Sequence, residues 1–217
     1  MTLICGIDEA GRGPIIGPMV MAGIVVDEEG SESLKSIGAK DSKMLSPSKR
    51  AFLFPKIIKI VKKYKIVIVE PEEIDDALKS DHLNLNWLEA HKSAEIINAL
   101  KPQMAIVDSP SNNCVAYKRY LKELIHFDVE LAVEHYADKN HIECAAASIL
   151  AKVTRDRIIE EIKKRIGIDF GSGYLTDPKT KEFIEKNFER HKDIFRKEWA
   201  PYKQAVNGKG QKSLDGF

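Results

Sequence analysis

The sequence predicts an α/β fold, in which a β-sheet flanked by helices is followed by a helical portion from about residue 165. Short apolar segments rich in β-branched residues alternate with longer amphipathic segments, which is typical of strands alternating with helices. The chain has 217 residues, 43% of them hydrophobic and 31% charged, as expected for a globular protein with a sizeable core. Because 34 Lys and Arg balance 33 Asp and Glu, net charge alone does not indicate a nucleic-acid partner.

Five short segments are predicted to form strands, because they are apolar, rich in Val and Ile, and bounded by Gly, Pro or polar residues. The first two lie on either side of a glycine-containing loop. Residues 27–45, which follow the second, are predicted to be a polar connection. In chain order the predicted strands are Leu3–Ile7, Pro18–Val26, Lys65–Val69, Met104–Val107 and Val129–Val133.

Six segments show helix-start signals or apolar residues at helical spacing. Ser46 supplies an N-cap for the first helix, and Pro47 is its first-turn proline. In the third, Leu85, Leu88 and Leu100 recur at near-helical intervals. In chain order the predicted helices are Pro47 to about Lys63, a short acidic helix from Pro71, Asn84–Leu100, Val115–Leu124, Ile142–Arg165 and Lys179–His191.

The cysteines and the apolar segments bear on where the protein works. Cys5, Cys114 and Cys144 are far apart and odd in number, so we expect buried thiols rather than a disulfide framework or a zinc site. No apolar stretch approaches the roughly 18 residues that a membrane span needs, and the N-terminus lacks a targeting pattern. We therefore expect a protein of the cytoplasm that does not enter a membrane. We also expect it to be a monomer.

Acidic residues follow two of the predicted strands at the point where each strand ends. Asp8 and Glu9 come directly after the first strand, and Asp108 follows the fourth. Because the C-terminal ends of neighbouring parallel strands meet at one edge of a sheet, these carboxylates are expected to converge. Aspartate is also common in turns, so either aspartate alone is equally compatible with a turn. Oxygen ligands without His or Cys favour magnesium or manganese over zinc.

Such a cluster leads to two further predictions. Like charges raise one another's pKa, so the cluster should be unfavourable without divalent cations, and two ions about 3.5–4 Å apart would suit phosphodiester hydrolysis. Adjacent residues of a regular strand point to opposite faces. Asp8 and Glu9 can therefore both be ligands only if a bulge or a strand end occurs at Glu9.

The glycine-containing loop after the first strand is a candidate binding element. Gly11-Arg12-Gly13 resembles the start of a dinucleotide fingerprint, but Pro14 and a β-branched run follow where that motif needs a helix, which excludes it. Glycines let a backbone approach a ligand closely, so the loop could contact a sugar 2′-hydroxyl, the group that distinguishes RNA from DNA. A simple tight turn is an equally good interpretation of the glycines alone.

Two polar groups are candidates for contacts with phosphate. In the alanine-rich helix, residues 148, 152 and 155 share one face and offer a hydroxyl and two cations, which suits phosphate oxygens. A solvated helix face would look similar. A second polar group lies in the connection before the first helix. The candidates are Ser148, Lys152 and Arg155 in the helix and Asp41, Ser42 and Lys43 in the connection.

Several of these motifs together resemble one family, the type 2 ribonucleases H, or ribonuclease HII, of the archaeal kind. The segment Gly6-Ile7-Asp8-Glu9-Ala10-Gly11-Arg12-Gly13-Pro14 resembles the opening signature of that family. The similarity is specific and continues in family order over most of the chain. The further matching segments are Lys40–Lys43, Ile106–Pro110, Ala146–Asp156 and Gly173-Tyr174.

The resemblance implies a ribonuclease H-like mixed β-sheet flanked by helices, with residues 1–164 as the catalytic domain and residues 165–210 as a helical C-terminal region. It implies hydrolysis on the 5′ side of ribonucleotides in RNA/DNA hybrids and of single ribonucleotides embedded in duplex DNA, leaving 3′-hydroxyl and 5′-phosphate ends. A role in ribonucleotide excision and in removal of RNA primers would follow.

The resemblance also assigns roles to residues. It implies four catalytic, metal-binding carboxylates, a loop that senses the 2′-hydroxyl, and a tyrosine that packs on the neighbouring sugar. Asp138 joins the set of carboxylates only through the resemblance. The carboxylates are Asp8, Glu9, Asp108 and Asp138, the loop is Gly11, Arg12 and Gly13, and the tyrosine is Tyr174.

The C-terminal segment 211–217 resembles the short peptide by which replication proteins bind a sliding clamp. Gln211, Leu214 and Phe217 are its candidate anchors. The usual peptide has two adjacent aromatic residues and this segment has one, so an unstructured tail is the alternative. Apolar anchors of this kind order only on contact with a groove.

Two other functions remain compatible with parts of the sequence. One is a nuclease or resolvase of the same fold that acts on DNA junctions, against which the glycine loop and Tyr174 argue. The other is a non-catalytic module that binds nucleic acid or the clamp, which would not need four candidate metal ligands. Cleavage in the presence of magnesium or manganese separates the second from an enzyme.

Overall fold

The computed structural model describes residues 2–210, and its centre is a five-stranded mixed β-sheet. The strand order is β3-β2-β1-β4-β5. β1 is antiparallel to β2 and parallel to β4, which is in turn parallel to β5. The strands are β1 (Ile4–Ala10), β2 (Met19–Val26), β3 (Lys63–Val69), β4 (Met104–Asp108) and β5 (Glu130–Glu134).

Nine helices are described in residues 2–210, with short 3-10 turns at Ser42–Met44 and Lys192–Ile194. Every residue of β2 is buried, as expected for a sheet covered by helices on both faces. The predicted mixed sheet with flanking helices is confirmed. The helices are α1 (Glu28–Ser36), α2 (Pro47–Ile60), α3 (Pro71–Lys79), α4 (Leu85–Leu100), α5 (Cys114–Glu123), α6 (Ala137–Asn140), α7 (Ile142–Ile166), α8 (Pro178–Asn187) and α9 (Ala200–Gly210).

The chain divides into two compact units, and each consists of separate stretches of sequence. The second unit contains N-terminal segments as well as the C-terminal region, so it is not one continuous segment. The division predicted at residues 164 and 165 stays a prediction. Of the described residues, the first unit contains those up to Ala10, Val20–Ile68 and Asn86–Arg155, and the second contains Gly11–Met19, Val69–Leu85 and those from Asp156 to Gly210.

In the first unit, α7 lies very close to β1. A Cβ atom added to Gly6 would lie well under 3.0 Å from the backbone atoms of Glu143 and Cys144. Only a glycine therefore lets the start of α7 pack against this part of β1. The close contact occurs two residues before Asp8, so it fixes the helix against the part of the strand that carries the candidate metal ligands.

The second unit has an apolar core of its own. It consists of aliphatic and aromatic side chains from the loop after β1 and from the C-terminal helices, and the rings of Phe170, Phe183 and Phe195 are in contact. The buried members are Ile15, Ile16, Ile159, Phe170, Phe183, Ile184, Ile194, Phe195 and Tyr202.

The prediction of a polar connection over residues 27–45 is wrong, because α1 lies within it. Asp27 caps this helix, since its side chain accepts a hydrogen bond from the backbone N–H of Gly30 (3.0 Å). Acidic residues occupy the first turn, where they complement the helix dipole. Leu34 is its only buried apolar side chain among the described residues, so the helix shows little hydrophobic periodicity and only the cap signal could have revealed it.

Three further expectations are corrected. α2 ends at Ile60 rather than near Lys63, because Val61 has extended backbone angles. β1 continues to Ala10 rather than ending at Ile7, because its pairing with β2 continues through the acidic residues. Cys5 and Cys144 are buried as predicted, but Cys114 is only half-buried.

Candidate active site

Three carboxylates meet at one edge of the sheet in the first unit. Asp8 and Glu9 lie near the end of β1, and Asp108 is the last residue of β4. Each offers an oxygen, and these oxygens all lie within 4.8 Å of one another. The parallel pairing of β1 with β4 ends at Ile7 and Val107, so the aspartates occupy the next position of each strand. The sheet topology therefore brings together residues that are about a hundred positions apart in sequence.

The expectation that Asp8 and Glu9 can share a site only with a bulge or a strand end at Glu9 is wrong, because β1 continues past Glu9 to Ala10 and the oxygens of both residues still meet. Within the described strands the pairing of β1 with β2 is regular through Ala10, so the expected bulge is absent. The pairing of β1 with β4 stops at Ile7, two residues before Glu9. The N–H of Glu9 donates to Oδ1 of Asp8 (2.6 Å). The two adjacent carboxylates thus approach each other without an inserted residue.

The cluster disfavours negative charge on two of its members. Burial raises the pKa of Asp8 well above its ordinary value, and the charges of Glu9 and Asp108 raise it further, although the hydrogen bond from the Glu9 N–H lowers it. Burial also raises the pKa of Asp108, against the lowering effect of its hydrogen bond from the Ala137 N–H. A cation bound among these oxygens would remove both the repulsion and part of the cost of burial.

Asp138 lies on α6, outside the group of three among the described residues. It is 3% exposed, and its charge raises the pKa of both Asp8 and Asp108. Its Oδ2 accepts from Nζ of Lys43 at 3.4 Å, while the lysine side chain remains 80% exposed. Burial alone would lower the pKa of Lys43, but Asp138 and other nearby carboxylates outweigh this and raise it.

The turn at Asp41–Lys43 is joined to α7 by hydrogen bonds. Asp41 accepts from the backbone N–H of Lys43 (2.9 Å), which caps the turn. The Ser42 N–H donates to the hydroxyl of Ser148 (3.3 Å), which itself donates to the Ala145 carbonyl. The sequence suggested both the turn and the helix as phosphate contacts but did not show that they are connected.

The other phosphate candidates lie on one face of α7, and the two at the ends of this set are buried. Ser148 and Arg155 are each 2% exposed, and Lys152 is half-buried. The alternative of a solvated helix face is therefore wrong for the serine and the arginine. Contact of these residues with phosphate stays a prediction.

In the second unit, the Gly11-Arg12-Gly13 loop packs against Tyr174. Gly11 has a φ of +81°, a left-handed conformation that favours glycine. A Cβ atom added to Gly13 would lie 3.4 Å from the ring of Tyr174, and the Ile15 N–H donates to the Gly173 carbonyl (2.9 Å). The structure thus brings together the loop and the tyrosine that the resemblance named separately.

Two side chains that contact this loop were not identified from the sequence. The guanidinium of Arg196 and the indole N–H of Trp199 donate to loop carbonyls. One signal was present in the sequence: Arg196 directly follows the apolar residues Ile194 and Phe195. A buried charge in an apolar segment is rare unless it is paired or hydrogen-bonded.

Two remaining expectations concern the ends and surface of the chain. Gln211, Leu214 and Phe217, the anchors of the proposed clamp peptide, lie outside the described residues. Among residues 2–210, we find no helix that is both long enough and apolar enough to span a membrane.

Comparisons with known proteins identify the family. The family profile described as Ribonuclease HII matches residues 5–202. The ribonuclease HII of Pyrococcus furiosus is 43% identical over 99% of this chain and 97% of its own length. The crystal structure of ribonuclease H2 from Pyrococcus horikoshii OT3 superimposes with a TM-score of 0.85 at 40% identity, covering 95% of this chain and 98% of that one.

A second similar structure is a complex of a ribonuclease HII with another protein. The structure of the PCNA:RNase HII complex from Archaeoglobus fulgidus contains a chain with a TM-score of 0.82 and 39% identity, covering 91% of this chain and 95% of that one. The similarity extends through the sheet, the motifs and the C-terminal region. The chain belongs to the ribonuclease HII family and is a ribonuclease H, a hydrolase that acts as an endonuclease.

Proposed function

We propose that this chain hydrolyses the phosphodiester bond on the 5′ side of ribonucleotides, both in RNA/DNA hybrids and at single ribonucleotides embedded in duplex DNA. The products would be 3′-hydroxyl and 5′-phosphate ends, and the activity would serve ribonucleotide excision and removal of RNA primers. The observation that carries the proposal is the group of three carboxylates whose oxygens lie within 4.8 Å of one another.

We infer that Asp8, Glu9, Asp108 and Asp138 bind two divalent ions, magnesium or manganese. The donor set fits such ions, because it consists of oxygen atoms and because mutual repulsion and burial raise the pKa of Asp8 and Asp108. Bound ions of this kind activate water and compensate the charge of a phosphodiester. The chain itself orients the ligands: the Ala137 N–H holds Oδ1 of Asp108 (2.8 Å), and Lys43 approaches Asp138.

We further propose that recognition of the substrate is shared between two sets of residues. The Gly11-Arg12-Gly13 loop and Tyr174 contact the ribonucleotide, the loop at its 2′-hydroxyl and the tyrosine at the neighbouring sugar. Residues of the 41–43 turn and of α7 contact phosphates. Because the Ser148 hydroxyl accepts from the Ser42 N–H, Ser148 also holds the turn in position. The phosphate set is Asp41, Ser42, Lys43, Ser148, Lys152 and Arg155.

The substrate proposal is tested with three duplexes of one sequence in the presence of Mg²⁺: a DNA duplex with one ribonucleotide, an RNA/DNA hybrid and an all-DNA duplex. We expect cleavage of the first two and none of the third, because only the ribose offers a 2′-hydroxyl to the loop. Mapping the products should place the cut on the 5′ side of the lone ribonucleotide. Equal cleavage of the all-DNA duplex would contradict recognition of the 2′-hydroxyl and would favour a DNA nuclease of the same fold.

We expect Lys43→Met to weaken substrate binding and to reduce its dependence on salt. The side chain is 80% exposed, so its charge is accessible to a phosphate. Removing one phosphate contact should lower the slope of log affinity against log salt by about 1. Binding would be measured at several salt concentrations without divalent ions, so that no cleavage occurs. Lys118→Met, on the exposed face of α5, is the control, and an unchanged slope in Lys43→Met would exclude the contact.

We also propose that residues 211–217 bind a sliding clamp, and that the chain works as a monomer in the cytoplasm. The support is the resemblance of this segment to clamp-binding peptides and the existence of a relative's complex with PCNA. Phe217→Ala should reduce the affinity for a purified clamp at least about tenfold, because aromatic anchors dominate such interfaces. Calorimetric titration measures this, and unchanged affinity would indicate that the segment is not the contact.

A further inference from the structure

Arg196 is a fully buried cation in the second unit, with 0% of its surface exposed. A guanidinium carries five N–H donors, and burying it is costly unless those donors find acceptors. It lies between Phe195, in the apolar core, and Lys197, just before α9. Arg196 is 185 positions from Gly11 in the loop after β1, so its contacts with that loop are long-range tertiary contacts.

The donors of Arg196 are directed at the loop that we propose as the ribonucleotide sensor. Nη2 donates to the Gly11 carbonyl (2.6 Å), Nη1 to the Arg12 carbonyl (2.8 Å) and Nε to the Gly17 carbonyl (2.9 Å). The indole Nε1 of Trp199 donates to the carbonyl of Gly13 (3.1 Å). Three consecutive loop carbonyls therefore accept hydrogen bonds from two side chains of one C-terminal segment.

These bonds determine which way the loop amides point. In a planar trans peptide the N–H is antiparallel to the C=O of the same unit. Because the carbonyls of Gly11 and Arg12 face Arg196, the N–H groups of Arg12 and Gly13 are turned away from it. Hydrogen bonds from a cation to these carbonyls also polarise the peptides and strengthen their N–H donors. Such amides suit an acceptor such as a 2′-hydroxyl oxygen.

The segment that carries Arg196 and Trp199 is itself fixed. Asp75 on α3 is 2% exposed and accepts from the backbone N–H groups of Lys197 (3.0 Å) and Glu198 (2.8 Å). The Arg196 N–H donates to the Ile15 carbonyl (2.9 Å), on the C-terminal side of the loop. The segment that holds the loop is thus itself held by a buried carboxylate on α3.

We propose that Arg196 and Trp199 are positioning residues for ribonucleotide specificity, and that Asp75 holds them in place. Arg196 fixes the carbonyls of Gly11 and Arg12, so that the N–H groups of Arg12 and Gly13 are already oriented for a 2′-hydroxyl before substrate binds. Trp199 fixes the Gly13 carbonyl, whose peptide has no N–H because Pro14 follows, and so holds the end of the loop in place. This inference rests on the proposed role of the loop and adds the residues that give the loop its shape. Preorganisation of this kind increases affinity by reducing the cost of ordering on binding.

The test compares Trp199→Phe and Arg196→Lys with the wild-type chain. The phenylalanine keeps an aromatic ring but lacks the indole N–H, and the lysine keeps the charge but lacks the planar fork of donors. Each variant would be assayed on a DNA duplex with one ribonucleotide and on the same duplex with a 2′-fluoro nucleotide there, since fluorine accepts hydrogen bonds poorly. Trp87→Phe on α4 and Arg119→Lys on the exposed face of α5 are the matched controls.

We expect KM for the ribonucleotide duplex to rise about 5-fold in Trp199→Phe, as the loss of one hydrogen bond implies, and more in Arg196→Lys. The preference for 2′-hydroxyl over 2′-fluoro should fall by the same factor, while the stabilisation by added Mg²⁺ in thermal unfolding stays unchanged. A merely structural role would lower activity on both substrates equally, which would overturn the proposal.

Two other outcomes are distinguishable. If the wild-type chain shows no preference for the ribonucleotide, the proposed function of the loop fails and the inference fails with it. If the wild-type preference is present and survives in both variants, the loop keeps its role and only the positioning by Arg196 and Trp199 is overturned. Because Trp199→Phe removes a single donor at a partly exposed position, it remains informative even if Arg196→Lys does not fold.

Discussion

Asp8→Asn is expected to reduce the rate of cleavage by more than about 100-fold. Substitutions of groups that only support a metal ligand cost about 10- to 100-fold in affinity or activity, so loss of a ligand itself should exceed that range. Asparagine keeps Oδ1 as an acceptor for the Glu9 N–H, so the local backbone should be preserved. The measurement is the single-turnover rate on a duplex with one ribonucleotide at saturating Mg²⁺.

The same substitution is expected to raise the stability of the metal-free protein at neutral pH. The folded state raises the pKa of Asp8 above its ordinary value of 3.8, so folding favours the protonated form. The stability contributed by that form is present below pH 3.8 and is lost as the pH rises through the folded pKa. Above the folded pKa the ionised carboxylate of Asp8 destabilises the folded state, and asparagine removes this destabilisation.

Added Mg²⁺ should make the wild-type chain more stable than Asp8→Asn, the reverse of the order expected without metal. The wild-type chain should gain thermal stability from the ion, because binding to the folded state alone is linked to folding, and Asp8→Asn should gain much less. Asp128→Asn, at an exposed position before β5, is the control and should resemble the wild-type chain in every assay. A variant at Asp8 that retained cleavage and was less stable without metal would contradict the assignment.

Gly6→Ala is expected to destabilise the fold at or beyond the upper end of the range of about 1–3 kcal/mol for overpacking a core. The added methyl would meet backbone atoms of Glu143 and Cys144, which cannot move aside by changing a rotamer. Either α7 would shift away from β1, or the strand would distort close to Asp8. The free energy of unfolding, from denaturant titration without metal, measures the loss.

Gly23→Ala on β2 is the comparison. There the added methyl would meet the Ile96 side chain first, which is able to change its rotamer. We expect a smaller loss of stability than for Gly6→Ala. Equal losses would show that α7 does move away from β1 at little cost, and that the close packing is not a requirement of the fold.

The sheet and its acidic edge could be predicted from the sequence because local patterns determine them. Apolar β-branched runs marked all five strands, and the carboxylates followed two of them directly. The residues of this edge are close to one another in sequence or lie at strand ends, where topology alone brings them together. Asp138 illustrates the limit, since its proximity to the other carboxylates depends on the short helix α6, which has no periodic signal.

The contacts that support the sites could not be predicted, because they join residues that are far apart and on irregular segments. The pairing of Lys43 with Asp138 spans 95 positions, and that of Arg196 with Gly11 spans 185. Neither propensity nor periodicity contains information about such pairs. α1 was missed for a different reason: its single buried apolar residue leaves no amphipathic pattern, and a cap residue alone is a weak signal.

The uneven burial of the three thiols makes the protein suitable for site-selective chemistry. Burial raises the pKa of Cys5 and Cys144 far above the ordinary value, so neither forms the thiolate that reacts with alkylating reagents. Cys114 is half-buried, with its sulfur 3.4 Å from Nε2 of His135. A maleimide fluorophore should therefore attach at Cys114 alone, which would place an optical reporter at the start of α5 without any change of sequence.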